Sequence, residues 1–329
     1  MKDIFIPDSS SSEALVGPLH TVTWVTGDPD TMERALVKGY GLTSGGWSEP
    51  ATDLKTYLGF SPDHNIRICI FTKKGAGANI AVRVISIADE VSAVRPEHLG
   101  LYTGGATLSF PMIDMPAHEK IMELQGIYST IGIKEMDFTS PTGEIYTSAE
   151  IVYKAPDHVF LLGVTRPDIF VPTGPIDETT GVGGPSYSAR CTHQAQEVME
   201  FLRDVLGFEI RRDVVFEVGE RSALLMPQGT RERFIQGFAP GSQTGYCVIM
   251  DHHEATRMTP ASGLGPPNRG ITMWSFLAND FDELRRRIDS ANLNVLQDYT
   301  ERQIPGLPSG PTMIVEDPDG FPIEIGSAM

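Results

Sequence analysis

One order of elements recurs four times in this chain, and that repeat limits its architecture more than any other feature. Each repeat reads as a short strand, a turn or cap, an amphipathic helix, and then two or three further strands. The first opens "GPLHTVTWVTGDPDTMERALVKGYGL". His20 to Thr26 alternates as a strand does, Asp28 is placed to cap a helix, and Pro29 to start it. The second opens "GGATLSFPMIDMPAHEKIMELQG", with Asp114 before the helix and Gly126 after it. In the third, "GPSYSARCTHQAQEVMEFLRDVLGF", Val198, Phe201, Leu202 and Val205 form the stripe of a packed helix. The fourth, "RGITMWSFLANDFDELRRRIDSANL", puts Phe281, Leu284 and Ile288 on one face and Arg285 to Arg287 toward solvent.

Strand-like runs follow each helix. "STIGIKEMDF", "EIYTSAEIVYK" and "HVFLLGV" follow the second, and "FEIRRDVVFEV", "SALLMPQ" and "RFIQGF" the third. "NVLQDYTE", "PTMIVEDP" and "FPIEIG" follow the fourth. Repeats one and three carry additional runs, "IAVRVISIAD" and "GYCVIMDH". One helix among several closely spaced strands predicts an α+β fold, not a doubly wound parallel sheet. The expected organisation is a lead-in over 1–16, two halves of two repeats each over 17–165 and 184–329, and a Pro/Gly-rich connection over 166–183.

Charge narrows the partners. The formal net charge of -17 repels phosphate backbones and anionic lipid, so neither nucleic acid nor a membrane surface is expected as a partner. No apolar run approaches the roughly 20 residues of a spanning helix. The lead-in lacks a long apolar region, which predicts no signal peptide and a cytoplasmic location. Cys69, Cys191 and Cys247 are odd in number and far apart, and read as buried thiols.

Near the C-terminus, "VEDPDGFPIEIG" places Glu324 among Phe321, Ile323 and Ile325. A carboxylate in an apolar strand is costly unless paired, hydrogen-bonded or set on a cation. Alternation turns it to the face opposite Ile323 and Ile325.

The four βαβββ modules, with "LHTVTWV" and "EDPDGFPIEI" as the strongest elements, resemble the vicinal oxygen chelate superfamily over about residues 17 to 327. That group includes glyoxalase I, bleomycin-resistance proteins, fosfomycin-resistance enzymes and extradiol dioxygenases. The resemblance implies that modules pair into two cup-shaped, barrel-like mixed sheets with helices outside. Such a cup usually holds one divalent metal ion (zinc, iron, manganese, nickel or magnesium), though some members have a metal-free cup. Its ligands come from the first and last strands of the paired modules.

In those terms Glu324 resembles the last-strand carboxylate. Aligning the modules gives His20, Thr107, Tyr187 and Met273 on first strands. On last strands it gives Ile68 or a near neighbour, Leu162, Gln236 and Glu324. Only His20 and Glu324 are good metal ligands, and Gln236 is a weak one. Ring-cleaving dioxygenases need histidines where Tyr187 and Met273 stand, which disfavours that chemistry. If module one pairs with module four, His20 and Glu324 share a cup; if it pairs with module two, they do not. Two protein ligands are few for zinc. The same two side chains make an acid/base pair.

Tyr187 is a candidate phenol donor in catalysis, and Arg190 a candidate anchor for a carboxylate or phenolate. Met273, Trp274 and Gln236, with Trp24 and Phe110, are candidates for the substrate wall. His193 and the adjacent His252 and His253 are weaker candidates. His64, His98, His118 and His158 read as turn, loop or helix-surface residues. "KKGAGAN" and "GVGGP" read as loops, not phosphate cradles.

Three functions follow as expectations. The first is a lyase or isomerase using acid/base chemistry, metal-assisted or not, on a small oxygenated, aromatic or apolar molecule. The second is a non-catalytic small-molecule binding or resistance protein with a metal-free cup. The third is an oxygenase with an atypical metal site. The resemblance also implies a homodimer, which covers sheet edges.

Overall fold

The computed structural model describes residues 14–74, 80–139, 143–167, 173–252 and 263–328. Module one comprises β1 (Thr21–Thr26), α1 (Pro29–Arg34), β2 (Thr43–Ser44), α2 (Thr52–Tyr57), β3 (Ile66–Thr72) and β4 (Ala81–Ile87). Module two comprises β5 (Gly104–Pro111), α3 (Met115–Leu124), β6 (Lys134–Thr139), β7 (Ile145–Lys154) and β8 (Phe160–Thr165). The connection holds a two-residue pair, β9 (Ile176–Asp177) and β10 (Val182–Gly183). Module three is β11 (Tyr187–Cys191), α4 (Ala195–Glu200), β12 (Glu209–Glu217), β13 (Arg231–Phe238) and β14 (Tyr246–His252). Module four is β15 (Gly270–Ala278), α5 (Phe281–Ser290), β16 (Val295–Arg302), β17 (Gly310–Glu316) and β18 (Pro322–Ser327). The fold is α+β, as the repeat predicts.

The helices start where the sequence signals them. Asp28, Asp114 and Asp280 each accept a hydrogen bond from the backbone three residues on, at Thr31, Ala117 and Glu283. α1 and α4 each continue as a single wider turn, Ala35–Gly39 and Phe201–Val205. Two strand expectations need correction. "SALLMPQ" is not a strand but a loop, and the "additional" runs are the last strands of their modules, β4 and β14. His118 is a buried helix residue, its Nδ1 2.9 Å from the Tyr153 hydroxyl, and not a surface one.

Pairing of the modules is resolved. β1 runs antiparallel to β15, with Thr21 opposite Ser275 and Thr23 opposite Met273. β4 lies parallel to β1 and β18 parallel to β15, so modules one and four build the first cup. β5 runs antiparallel to β11, with β8 and β14 parallel beside them, so modules two and three build the second. The cups join where Gly105 of β5 pairs with Ile271 of β15, making one 16-stranded sheet. A Cβ on Gly105 would stand 2.3 Å from the Ile271 carbonyl, so that crossing requires glycine.

Alternation splits the strand residues between two surroundings. Val22, Trp24, Leu108, Trp274, Phe276 and Ile323 pack beneath the helices in the main core. The other faces line the cups, with Ile68, Ile85, Met273 and Ile314 in the first and Leu162, Tyr187, Ala189 and Val248 in the second. Among the described residues, no helix is long and apolar enough to cross a membrane. Cys69, Cys191 and Cys247 are free and buried.

Candidate functional site

His20 and Glu324 do belong to one cup, the first. There Glu324 acts on the imidazole through space. Glu324 is fully buried, and its Oε2 accepts hydrogen bonds from Arg83 Nη2 and Ser275 Oγ, each at 2.6 Å. Arg83 also donates to Thr23 Oγ1 at 2.8 Å and to the Pro305 carbonyl at 3.2 Å. His20 Nδ1 lies 2.9 Å from Thr21 Oγ1. Burial holds the imidazole pKa below its usual value; Glu324 opposes that shift and Arg83 adds to it.

Strand register explains why Arg83 is there. The β1/β15 pair has a local two-fold centred on Val22 and Trp274, which makes Thr23 equivalent to Ser275. Their parallel neighbours are Arg83 on β4 and Glu324 on β18. The residue equivalent to Glu324 in module one is therefore Arg83, not a residue near Ile68, which lies on β3. The same construction in the second cup, centred on Leu108 and Ser188, gives Leu162 on β8 and Val248 on β14. Gln236 lies on β13 and is thus not a last-strand residue.

The resemblance implies a divalent metal at those positions. Glu324 Oε1 is buried without a hydrogen-bond partner, which leaves that oxygen free to accept. An ion bound there would sit against the Arg83 guanidinium, a like charge at hydrogen-bonding distance of the same carboxylate. Leu162 and Val248 offer no donor at all. Among the described residues, no group of three or more His, Cys, Asp or Glu side chains is placed to hold a metal. The residues do not fit the metal that the resemblance implies.

The first cup is also filled. Ile304, with Leu307 partly buried, packs against Ile66, Ile68, Ile85 and Met273. The segment carrying them is tied down by Thr21 Oγ1, which donates to the Gly306 carbonyl at 3.0 Å. What remains is a cavity of about 280 Å³ beside Tyr57, Met273 and Ile314.

The second cup is open, with a cavity of about 540 Å³. That lies within the roughly 300–1,000 Å³ of small-molecule sites. Thr107, Val152, Leu162, Tyr187, Ala189 and Val248 line its floor, and Phe138, Phe216 and Phe234 its walls. "SALLMPQ" contributes Ser222, Ala223, Leu224 and Met226, which explains an apolar run that is not a strand. Glu150 on β7 faces this cavity. Burial raises its carboxyl to about 7; Lys134 and Arg212 oppose the rise, while Glu232 adds to it. Burial likewise pushes the Tyr187 phenol well above its usual value, so it stays an O–H donor at neutral pH. Glu232, on the same wall, is held by His252 Nε2 at 3.3 Å.

The remaining candidates separate. Tyr187 lines the second cup and Met273 the first. Arg190 and Trp274 line neither. Arg190 is buried against Asp317, which accepts its hydrogen bond, and over the rings of Phe321 and Trp274 at 4.7 and 5.9 Å. Trp274 Nε1 donates to Ser188 Oγ at 3.0 Å within the main core. Trp24 and Phe110 are core residues too. His253 and the glycines of "KKGAGAN" lie outside the described residues.

Residues 186–325 match the family model of the Glyoxalase/Bleomycin resistance protein/Dioxygenase superfamily. No curated protein matches the chain by sequence. Glyoxalase I from Zea mays has a similar structure, with a TM-score of 0.62 at 12% identity over 94% of this chain and 92% of that one. A putative dioxygenase from Bacillus subtilis subsp. subtilis str. 168 superposes with a TM-score of 0.58 at 15% identity over 96% of this chain and 86% of that one. At such identities the likeness is one of fold.

Proposed function

We propose that this chain is an acid/base enzyme, a lyase or isomerase, working in the cup of modules two and three; the match of residues 186–325 to the Glyoxalase/Bleomycin resistance protein/Dioxygenase model supports this reading. Its substrate is a small oxygenated molecule with an aromatic or otherwise apolar body. The observation that carries this reading is Glu150, a carboxyl raised to about 7 in a largely apolar cavity of about 540 Å³. A general base works best with a pKa near the operating pH. Glu150 takes a proton from a carbon next to a carbonyl, and the Tyr187 hydroxyl donates to the oxygen on which the negative charge develops. Both roles are performed by the chain's own residues.

The test uses a panel of aryl ketones and aldehydes in deuterated water, followed by NMR. Exchange of the carbon-bound hydrogen next to the carbonyl, lost in Glu150→Gln and slowed in Tyr187→Phe, supports the proposal. Exchange that persists in Glu150→Gln refutes it. One alternative keeps specific support. Leu162 and Val248 at the family's ligand positions suit a cup that sequesters an apolar ligand, and binding without exchange is its signature. An oxygenase would need a metal set that the described residues do not supply. A cytoplasmic homodimer belongs to the same proposal. Its support is three free buried thiols and the edge strand β12, where Val214, Val215 and Phe216 are exposed.

A further inference from the structure

Among the described residues, four carboxylates border the second cup, Asp137, Glu150, Glu217 and Glu232, against a single arginine, Arg212. That arginine lies over the rings of Phe138 and Phe234, at 5.1 and 5.7 Å. Two of the acids have partners, since Asp137 accepts from Thr147 and Glu232 faces His252. The neighbours that act on Glu150 do so through space only. Acidic clusters are common on a chain with a net charge of -17, so the deciding feature is a different one. Thr107 is 2% exposed, lines the cavity, and its Oγ1 has no hydrogen-bond partner. A buried hydroxyl left unpaired costs free energy, and one on a cavity wall calls for a partner from the cavity.

We propose that the second cup takes an organic cation, a protonated amine on an aromatic or branched alkyl body. This inference rests on the cup being the ligand site, and adds the charge of the ligand to it. The aromatic walls suit both the body and the charge, since a cation is attracted to ring faces. Glu150 offers the counter-charge within the apolar lining, and a protonated amine supplies the N–H that Thr107 Oγ1 lacks. The negative field of the whole chain draws cations toward the mouth. Among the described residues that line the cup, an anion would meet one arginine, Arg212, and four carboxylates.

The test is equilibrium binding of three matched probes: naphthylmethylammonium, naphthylmethanol and naphthoate. The expected result is that the ammonium binds at least about tenfold tighter than the alcohol, a difference of about 1.4 kcal/mol, and that naphthoate binds weakest. In Glu150→Gln that preference disappears. Glu217→Gln, at the exposed end of β12, provides a second variant and narrows the preference severalfold. The preference should also grow with pH through the Glu150 titration. The other ionisable groups facing Glu150 are Lys134, Arg212, Glu232 and Tyr187. Equal binding of ammonium and alcohol, tightest binding of naphthoate, or a preference unchanged in both variants overturns the cation inference while leaving an apolar ligand cup. Failure of all three probes to bind overturns both.

Discussion

Arg83 and Glu324 stand at equivalent positions on the last strands of modules one and four and meet at 2.6 Å with no exposure to solvent. The local two-fold here offers a cation to the chain's own carboxylate. The first cup therefore has its charge balanced by the chain, and Ile304 and Leu307 fill much of the remaining space.

Breaking that pair leaves a buried charge without a partner. Arg83→Met or Glu324→Gln should each destabilise the protein by about 3–5 kcal/mol. The double replacement should cost clearly less than the sum. Urea unfolding of the four proteins measures this. Additive losses would mean that the two side chains act independently.

Because the guanidinium occupies the cation's place, added zinc, nickel or manganese should leave the wild-type melting temperature unchanged. Ligand binding to the native state alone would raise it by mass action. A concentration-dependent rise with any of these ions would contradict the donor argument.

Arg190 should matter for stability and not for ligands. Arg190→Ala leaves Asp317 buried and unpaired, with an expected loss of about 3–5 kcal/mol. Probe affinity in the folded protein should not change. A variant of normal stability with weakened binding would place Arg190 in the site after all.

Ala189 is buried on the floor of the open cup. Ala189→Phe extends a ring into space that is otherwise available, and should weaken naphthylmethanol binding at least about tenfold with little loss of stability. Calorimetric titration decides this, and unchanged affinity would place the ligand elsewhere.

Glu150 also gives a pH dependence with a definite sign. Its folded-state pKa, about 7, lies above the 4.5 of the free side chain, so the folded protein binds the proton more tightly. Its contribution to stability is fully present below about 4.5 and is lost as pH rises toward 7. The stability difference between wild type and Glu150→Gln should therefore drift against the wild type across that window. Activity that needs the ionised carboxylate should rise over the same range. A flat difference, or activity highest below pH 5, would contradict the assignment.

Much of the fold was legible because its signals are local. Asp28, Asp114 and the stripe through Val198 and Val205 mark helices by side-chain chemistry and period. Module pairing was not legible, because β1 meets β15 across some 250 residues of chain and either partner satisfies the same alternation. The site suffered for the same reason. Glu324 stood out as a charge inside an apolar strand, and Arg83 in "IAVRVISI" carries the same signal with the opposite sign. Nothing local in that run marks it as the last strand of its module, and the pairing of the two depends on that place. Glu150 in "SAEIVY" was masked by the threonine and serine before it, which make β7 read as half-exposed. Arg190 and Tyr187 lie three residues apart on β11, so alternation sends one to the core and the other, with Ala189, to the cup.

The location of a bound ligand tests the central claim most directly. A crystal structure with naphthylmethylammonium should show the probe in the second cup, its nitrogen within hydrogen-bonding distance of Glu150 or Thr107. Density for the probe in the first cup, beside Met273 and Glu324, would contradict the account.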